Sequence, residues 1–122
     1  MTKTALVVDD SVTIRQMVSY TLKQAGFDIL TGSNGEEGLG HLDGRQVDLI
    51  VTDLNMPVMD GFGLIRQART RQAYRFTPIL VLTTESKESR KLEGKQAGAT
   101  GWLVKPFNPQ QLKQVVAKVV PA

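Results

Sequence analysis

Apolar runs alternate with helical patterns along the whole chain. The runs are Ala5–Val8, Phe27–Thr31, Val47–Thr52, Ile79–Thr83 and Gly101–Val104. Four of them are nearly continuous, the pattern of strands covered on both faces in a parallel sheet. The exception carries Asp28 between Phe27 and Ile29, which predicts an edge strand. Between the runs the period changes. Ile14, Met17, Val18, Leu22 and Ala25 form one apolar stripe at helical spacing, with Gly26 as the stop signal. Leu112, Val115, Val116, Val119 and Val120 form another, with Asn108 as N-cap and Pro109 at the first helical position. Weaker helices are predicted over about Gly35–Leu42 and Ser86–Ala97. The second offers little apolar surface beyond Leu92 and Ala97, a thin anchor that suits an element able to move. A βα unit repeated five times with right-handed crossovers predicts an α/β fold: one doubly wound parallel sheet with helices on both faces.

The 122 residues are the size of one compact domain, and no linker or repeat divides them, so residues 1–122 are taken as a single domain. The absence of cysteine excludes disulfides, thiolate metal sites and a cysteine nucleophile. The N-terminus has no signal-peptide pattern and no run approaches a membrane span, which by default predicts a cytoplasmic protein. The net charge is a mild +3. Four arginines fall within Arg66–Arg75, but no nucleic-acid recognition motif accompanies them. A solvated helix end and loop is the simpler account, and no nucleic-acid partner is expected.

In an open parallel sheet the ligand site lies beyond the carboxyl ends of the strands. Strand 1 ends in Asp9 and Asp10, strand 3 in Asp53, strand 4 in Thr83 and Thr84, and strand 5 in Lys105. Every strand read as interior therefore contributes to one rim. Taken singly, Asp9 and Asp10 could cap the first helix, as Ser11 could, and Asp53 could be a loop acid. Together, three carboxylates repel unless a cation lies among them, and hard oxygen donors without a dedicated acidic cage suit Mg²⁺ with waters. Phosphoryl oxygens commonly complete such a site. Lys105 and Thr83 then become partners for phosphoryl oxygens, and Asp53, alone on a central strand, the nucleophile.

The segments "VVDDS", "VTDLNMPVMDG", "VLTTES" and "GWLVKPF" give the chain its resemblance, over its whole length, to the receiver domain of two-component response regulators, most closely the stand-alone chemotaxis (CheY-like) type. The resemblance implies the flavodoxin-like strand order 2-1-3-4-5, the order known for the chemotaxis receivers themselves. It implies Asp53 as phosphoacceptor, and Mg²⁺ held by Asp10, Asp53 and the backbone carbonyl of Asn55, with Asp9 acting through a water. Lys105 would contact the phosphoryl group and precede a cis peptide bond to Pro106. Thr83 would bond a phosphoryl oxygen and draw in its loop. The implied partners are a histidine kinase as phosphodonor and a downstream effector protein, met by a monomer through the face formed by its fourth helix (about Ser86–Ala97), fifth strand (Gly101–Val104) and the helix that begins at Pro109 (the α4-β5-α5 face) in chemotaxis or motility.

At the third residue before the lysine the family usually has Tyr or Phe that swings inward when the threonine moves. Here it is Trp102, whose larger ring needs a roomier pocket or a smaller swing, and Thr84 would narrow the same space. A fixed, half-buried Trp102 covering helix 4 is the simpler alternative. Two other functions share parts of the pattern. An aspartate-nucleophile phosphohydrolase would want a second acid two residues after the nucleophile, where this chain has Asn55. A flavin or nucleotide module would need a phosphate loop, and "GSNGEEGLG" (Gly32–Gly40) matches none. A phosphoacceptor protein, not an enzyme acting on a diffusible substrate, is the expectation. His41 is expected at the surface, and Met56 and Met59 as packing beside the site loop.

Overall fold

The computed structural model describes residues 2–121. Its strands are β1 (Lys3–Val8), β2 (Phe27–Gly32), β3 (Leu49–Asp53), β4 (Ile79–Thr83) and β5 (Gly101–Val104), all parallel and ordered β2-β1-β3-β4-β5. The helices are α1 (Val12–Gln24), α2 (Gly35–Gly40), α3 (Gly61–Thr70), α4 (Glu88–Ala97) and α5 (Pro109–Val119), with a 3-10 turn at Gln72–Tyr74. The expected doubly wound sheet is present.

Side-chain alternation divides the core into two layers. Ala5, Val7, Leu49, Val51, Leu80 and Leu82 face α1 and α5, meeting Val18, Leu22, Leu112 and Val116. Leu6, Val8, Ile50, Ile79 and Val81 face the other way, toward Phe62, Leu64, Ile65 and Ala68 of α3. The expected stripes of α1 and α5 are these buried faces, although Ala25 and Val120 are the C-caps of the two helices rather than part of them. Asn108 caps α5 in a reciprocal capping box with Gln111, and Pro109 opens the helix.

β2 is an edge strand with Asp28 exposed, as its interrupted pattern predicts. β5, whose continuous pattern reads as interior, is the second edge, as the implied order 2-1-3-4-5 requires, and is half-buried throughout. Its sequence is continuous because both faces are covered: Trp102 packs into the α3 layer and Leu103 into the α5 layer. Hydrophobic pattern reports the covering of faces, whereas an edge is a matter of backbone pairing.

Three glycines of "GSNGEEGLG", Gly32, Gly35 and Gly38, serve close packing, whereas Gly40 has open space beside it. A Cβ on Gly38 would lie 2.7 Å from Val8 Cγ2, so α2 rests directly on β1. His41 is half-buried and its Nε2 lies 2.8 Å from the Thr31 carbonyl, to which it donates. The arginine run is not simply solvated. Arg69 donates to the carbonyls of Gly98 (2.7 Å), Tyr74 (2.8 Å) and Thr77 (2.7 Å), and Arg71 to those of Leu39 and Leu42. Desolvation shifts the Arg69 guanidinium below its ordinary pKa, though it remains cationic. Among the described residues, no helix is long and apolar enough to cross a membrane.

Candidate phosphoacceptor site

Strand register assembles the site. Val8 pairs with Thr52, so Asp9 leaves β1 level with Asp53 at the end of β3. Thr83 pairs with Val104, so Lys105 leaves β5 beside the end of β4. The Lys105 ammonium crosses the rim to lie 3.1 Å from Asp9 Oδ2 and 3.5 Å from Asp53 Oδ1. Asp9 and Asp53 are only 3% and 8% exposed, so this ion pair bridges two carboxylates largely withdrawn from water. The Lys105–Pro106 bond is cis, as the resemblance implies.

Neither acid caps α1. Ser11 does, its Oγ accepting from Ile14 N at 3.3 Å. The Asp9 carboxylate instead turns back: Oδ1 accepts from Ser11 N at 2.9 Å while Oδ2 faces Lys105. Asp53 Oδ1 accepts from Leu54 N at 2.8 Å, and Oδ2 has no protein partner among the described residues. Asp10 is exposed. Carboxylate oxygens of Asp9, Asp10 and Asp53 nevertheless all fall within 4.8 Å of one another. Burial, with the charges of Asp9 and Asp10 adding to it, pushes the Asp53 carboxyl above its usual pKa, while Lys105 and the Leu54 amide oppose the shift.

Three carboxylates against one ammonium leave a local surplus of negative charge. The donors are hard oxygens, and one of them, Asp10, is open to water. That donor set fits Mg²⁺, which keeps several waters and takes few protein ligands. Asn55 stands exposed two residues beyond Asp53, in the loop that leaves β3. Met56 and Met59 pack against the core beneath that loop, as expected.

Thr83 is fully buried, and its Oγ1 accepts from Glu85 N at 3.2 Å. The Glu85 carbonyl in turn accepts from Trp102 Nε1 at 3.0 Å. One residue thus links the hydroxyl at the rim to the indole on β5. The indole is half-buried, 6.5 Å from the Phe62 ring, and the Arg90 guanidinium lies over that same ring, 4.8 Å from its centroid. Thr84 does not narrow this space. Adjacent strand residues point to opposite faces, and Thr84 is exposed beside Ile14, Met17 and Phe107. Leu92, expected to anchor α4, is 56% exposed; the buried residue of α4 is Gly94, against the indole. Gly94, Glu85 and Arg15 carry no local sequence signal, because their importance depends on distances in space.

A five-stranded 2-1-3-4-5 sheet with acids after β1 and β3, a hydroxyl after β4 and a lysine before a cis proline after β5 defines a receiver-type α/β protein. The response regulator receiver domain family matches residues 5–117, and the chain belongs to it. It is similar to chemotaxis protein CheY1 of Helicobacter pylori, 36% identical over 117 residues covering 94% of each chain. The structure of Vibrio cholerae chemotaxis protein CheY4 superposes with a TM-score of 0.94 at 48% identity, covering 98% of this chain and 100% of that one. The chain is also 38% identical over 120 residues to the alkaline phosphatase synthesis transcriptional regulatory protein PhoP of Bacillus subtilis, spanning 98% of its own length but about half (49%) of that relative.

Proposed function

We propose that this response regulator receives a phosphoryl group on Asp53 from the phosphohistidine of a histidine kinase and signals to an effector protein in chemotaxis or motility. The observation that carries this is the bridging of Asp9 and Asp53 by Lys105 at the sheet rim, with Asp10 alongside and Thr83 at the end of the neighbouring strand.

An oxygen of Asp53 attacks phosphorus in line. The P–N bond to the donor histidine breaks, and its electron pair returns to the imidazole, which takes up a proton. Lys105 follows the incoming charge, exchanging part of its contact with Asp9 and Asp53 for a phosphoryl oxygen. Asp10, Asp53 and the Asn55 carbonyl would hold Mg²⁺ directly, with Asp9 acting through a water. When bound, Mg²⁺ supplies charge neutralisation for the phosphoryl oxygens. Thr83 donates its hydroxyl proton to another of them.

Movement of Thr83 disturbs Glu85 N, and the same residue's carbonyl holds Trp102. The link supports a coupled displacement of the β4–α4 loop, Trp102 and the α4-β5-α5 face on which an effector docks. A diffusible-substrate hydrolase is disfavoured by Asn55 standing where a second acid would be needed.

Incubation with acetyl phosphate and Mg²⁺ followed by intact mass tests the reading. One added phosphoryl group per chain, absent in Asp53→Asn, is expected. Many phosphates released per chain would indicate a hydrolase. No labelling by several small donors would sink the proposal. The emission of Trp102, the chain's single tryptophan, should change on phosphorylation. A spectrum unchanged with Mg²⁺ and with phosphodonor would favour the fixed tryptophan.

A further inference from the structure

Arg15, in the first turn of α1, reaches back toward the rim, and its Nη1 donates to the Asp9 carbonyl at 2.6 Å. No carboxylate lies within ion-pair distance of it among the described residues. A half-buried guanidinium thus takes a neutral acceptor, the backbone carbonyl of Asp9. The carbonyl it holds belongs to the peptide joining Asp9 to Asp10. Because a peptide is planar, fixing that oxygen also fixes the plane of the nitrogen and Cα of Asp10. The other side of Asp9 is tied as well, since its N–H donates to the Gly32 carbonyl at 3.1 Å. Both peptide planes of Asp9 are therefore pinned, and its carboxylate is held by Ser11 N and Lys105.

Asp10 differs. It is exposed, and its carboxylate has no hydrogen-bond or ion-pair partner among the described residues. Repulsion from Asp9 and Asp53 pushes it toward water, and only its backbone can oppose that drift. We infer that Arg15 is a positioning residue of the metal site: by clamping the Asp9–Asp10 peptide it keeps the Asp10 carboxylate turned toward Asp53. The inference rests on the Mg²⁺ reading of the site.

Geometry and charge predict opposite effects of removing Arg15. A clamp that is lost weakens cation binding, as is usual for groups that orient metal ligands. Loss of a mere nearby positive charge would tighten it. Mg²⁺ is titrated into the full chain by calorimetry and by Trp102 emission, for wild type, Arg15→Ala and Arg15→Lys, with urea unfolding in EDTA as the folding control. Arg15→Ala should raise the Mg²⁺ Kd about tenfold. Arg15→Lys, which keeps a charged donor, should recover most of the loss. Should Arg15→Ala not fold, Arg15→Gln, too short to reach the carbonyl, should show the same weakening. An unchanged or tighter Kd in folded variants overturns the role of Arg15 alone. A wild type that binds no Mg²⁺ by calorimetry overturns the metal site with it.

Discussion

Gly94 lies directly beneath the Trp102 indole. A Cβ at Gly94 would stand 2.7 Å from Cζ3 and 3.1 Å from Cε3. A mid-helix glycine costs about 1 kcal/mol relative to alanine, and here it lets α4 seat on a ring larger than the family's usual Tyr or Phe. Trp102 holds α4 twice: through this notch, and through Glu85 just before the helix.

Gly94→Ala should therefore destabilise the protein although alanine is the better helix former. Overpacking costs about 1–3 kcal/mol against a gain of about 1, so a net loss of about 1 kcal/mol in urea unfolding is expected. A shift of Trp102 emission should accompany it. A more stable variant with unchanged emission would refute the notch.

The raised pKa of Asp53 sets a pH dependence in metal-free protein. Its folded pKa lies above its unfolded one, so its stabilising contribution is complete below the unfolded pKa and is lost as pH rises through the folded pKa. Asp53→Asn should therefore raise Tm in EDTA at neutral pH. The advantage should fade as pH falls toward about 4, the ordinary aspartate range. Added Mg²⁺ should reverse the order, stabilising wild type more. Thermal melts across pH, with EDTA or Mg²⁺, check all three.

Lys105→Met should leave Asp9 and Asp53 without their cation. Removing one partner of a buried pair costs about 3–5 kcal/mol, and the 16% exposure of the lysine side chain points to the lower end. With one positive charge fewer among three carboxylates, Mg²⁺ should bind more tightly to this variant. Urea unfolding in EDTA and a Mg²⁺ titration test the pair of effects, and weaker Mg²⁺ binding would contradict the charge argument.

Arg69→Met should cost about 2–4 kcal/mol by leaving the carbonyls of Gly98, Tyr74 and Thr77 short of a donor. Because Arg69 lies at the opposite end of α3 from Asp53, the rate of labelling by acetyl phosphate in the folded variant should stay within about twofold. Urea unfolding and intact-mass kinetics separate stability from chemistry.

The five strands, the cap at Asn108 and the rim acids were legible along the chain because each depends on local pattern: face coverage, helical period, and the residue that follows a strand; the cap of α1 was left open among Asp9, Asp10 and Ser11. The family motifs carried the strand order and the cis Lys105–Pro106 bond. What local pattern could not carry was proximity between distant segments. The continuous pattern of β5 does not show it to be an edge, which is set by backbone pairing and was carried only by the family's strand order. Leu92 is exposed and Gly94 buried because α4 packs on one indole. Arg69 and Arg71, a basic run on paper, are tied to carbonyls some thirty residues away. Asp9 and Asp10 divide in the same way. Their place at the end of β1 is sequence. The burial of Asp9 against Lys105, and the exposure of Asp10 on a peptide held by Arg15, belong to the tertiary structure, because charge compensation acts through distances of a few ångströms that only the folded sheet creates.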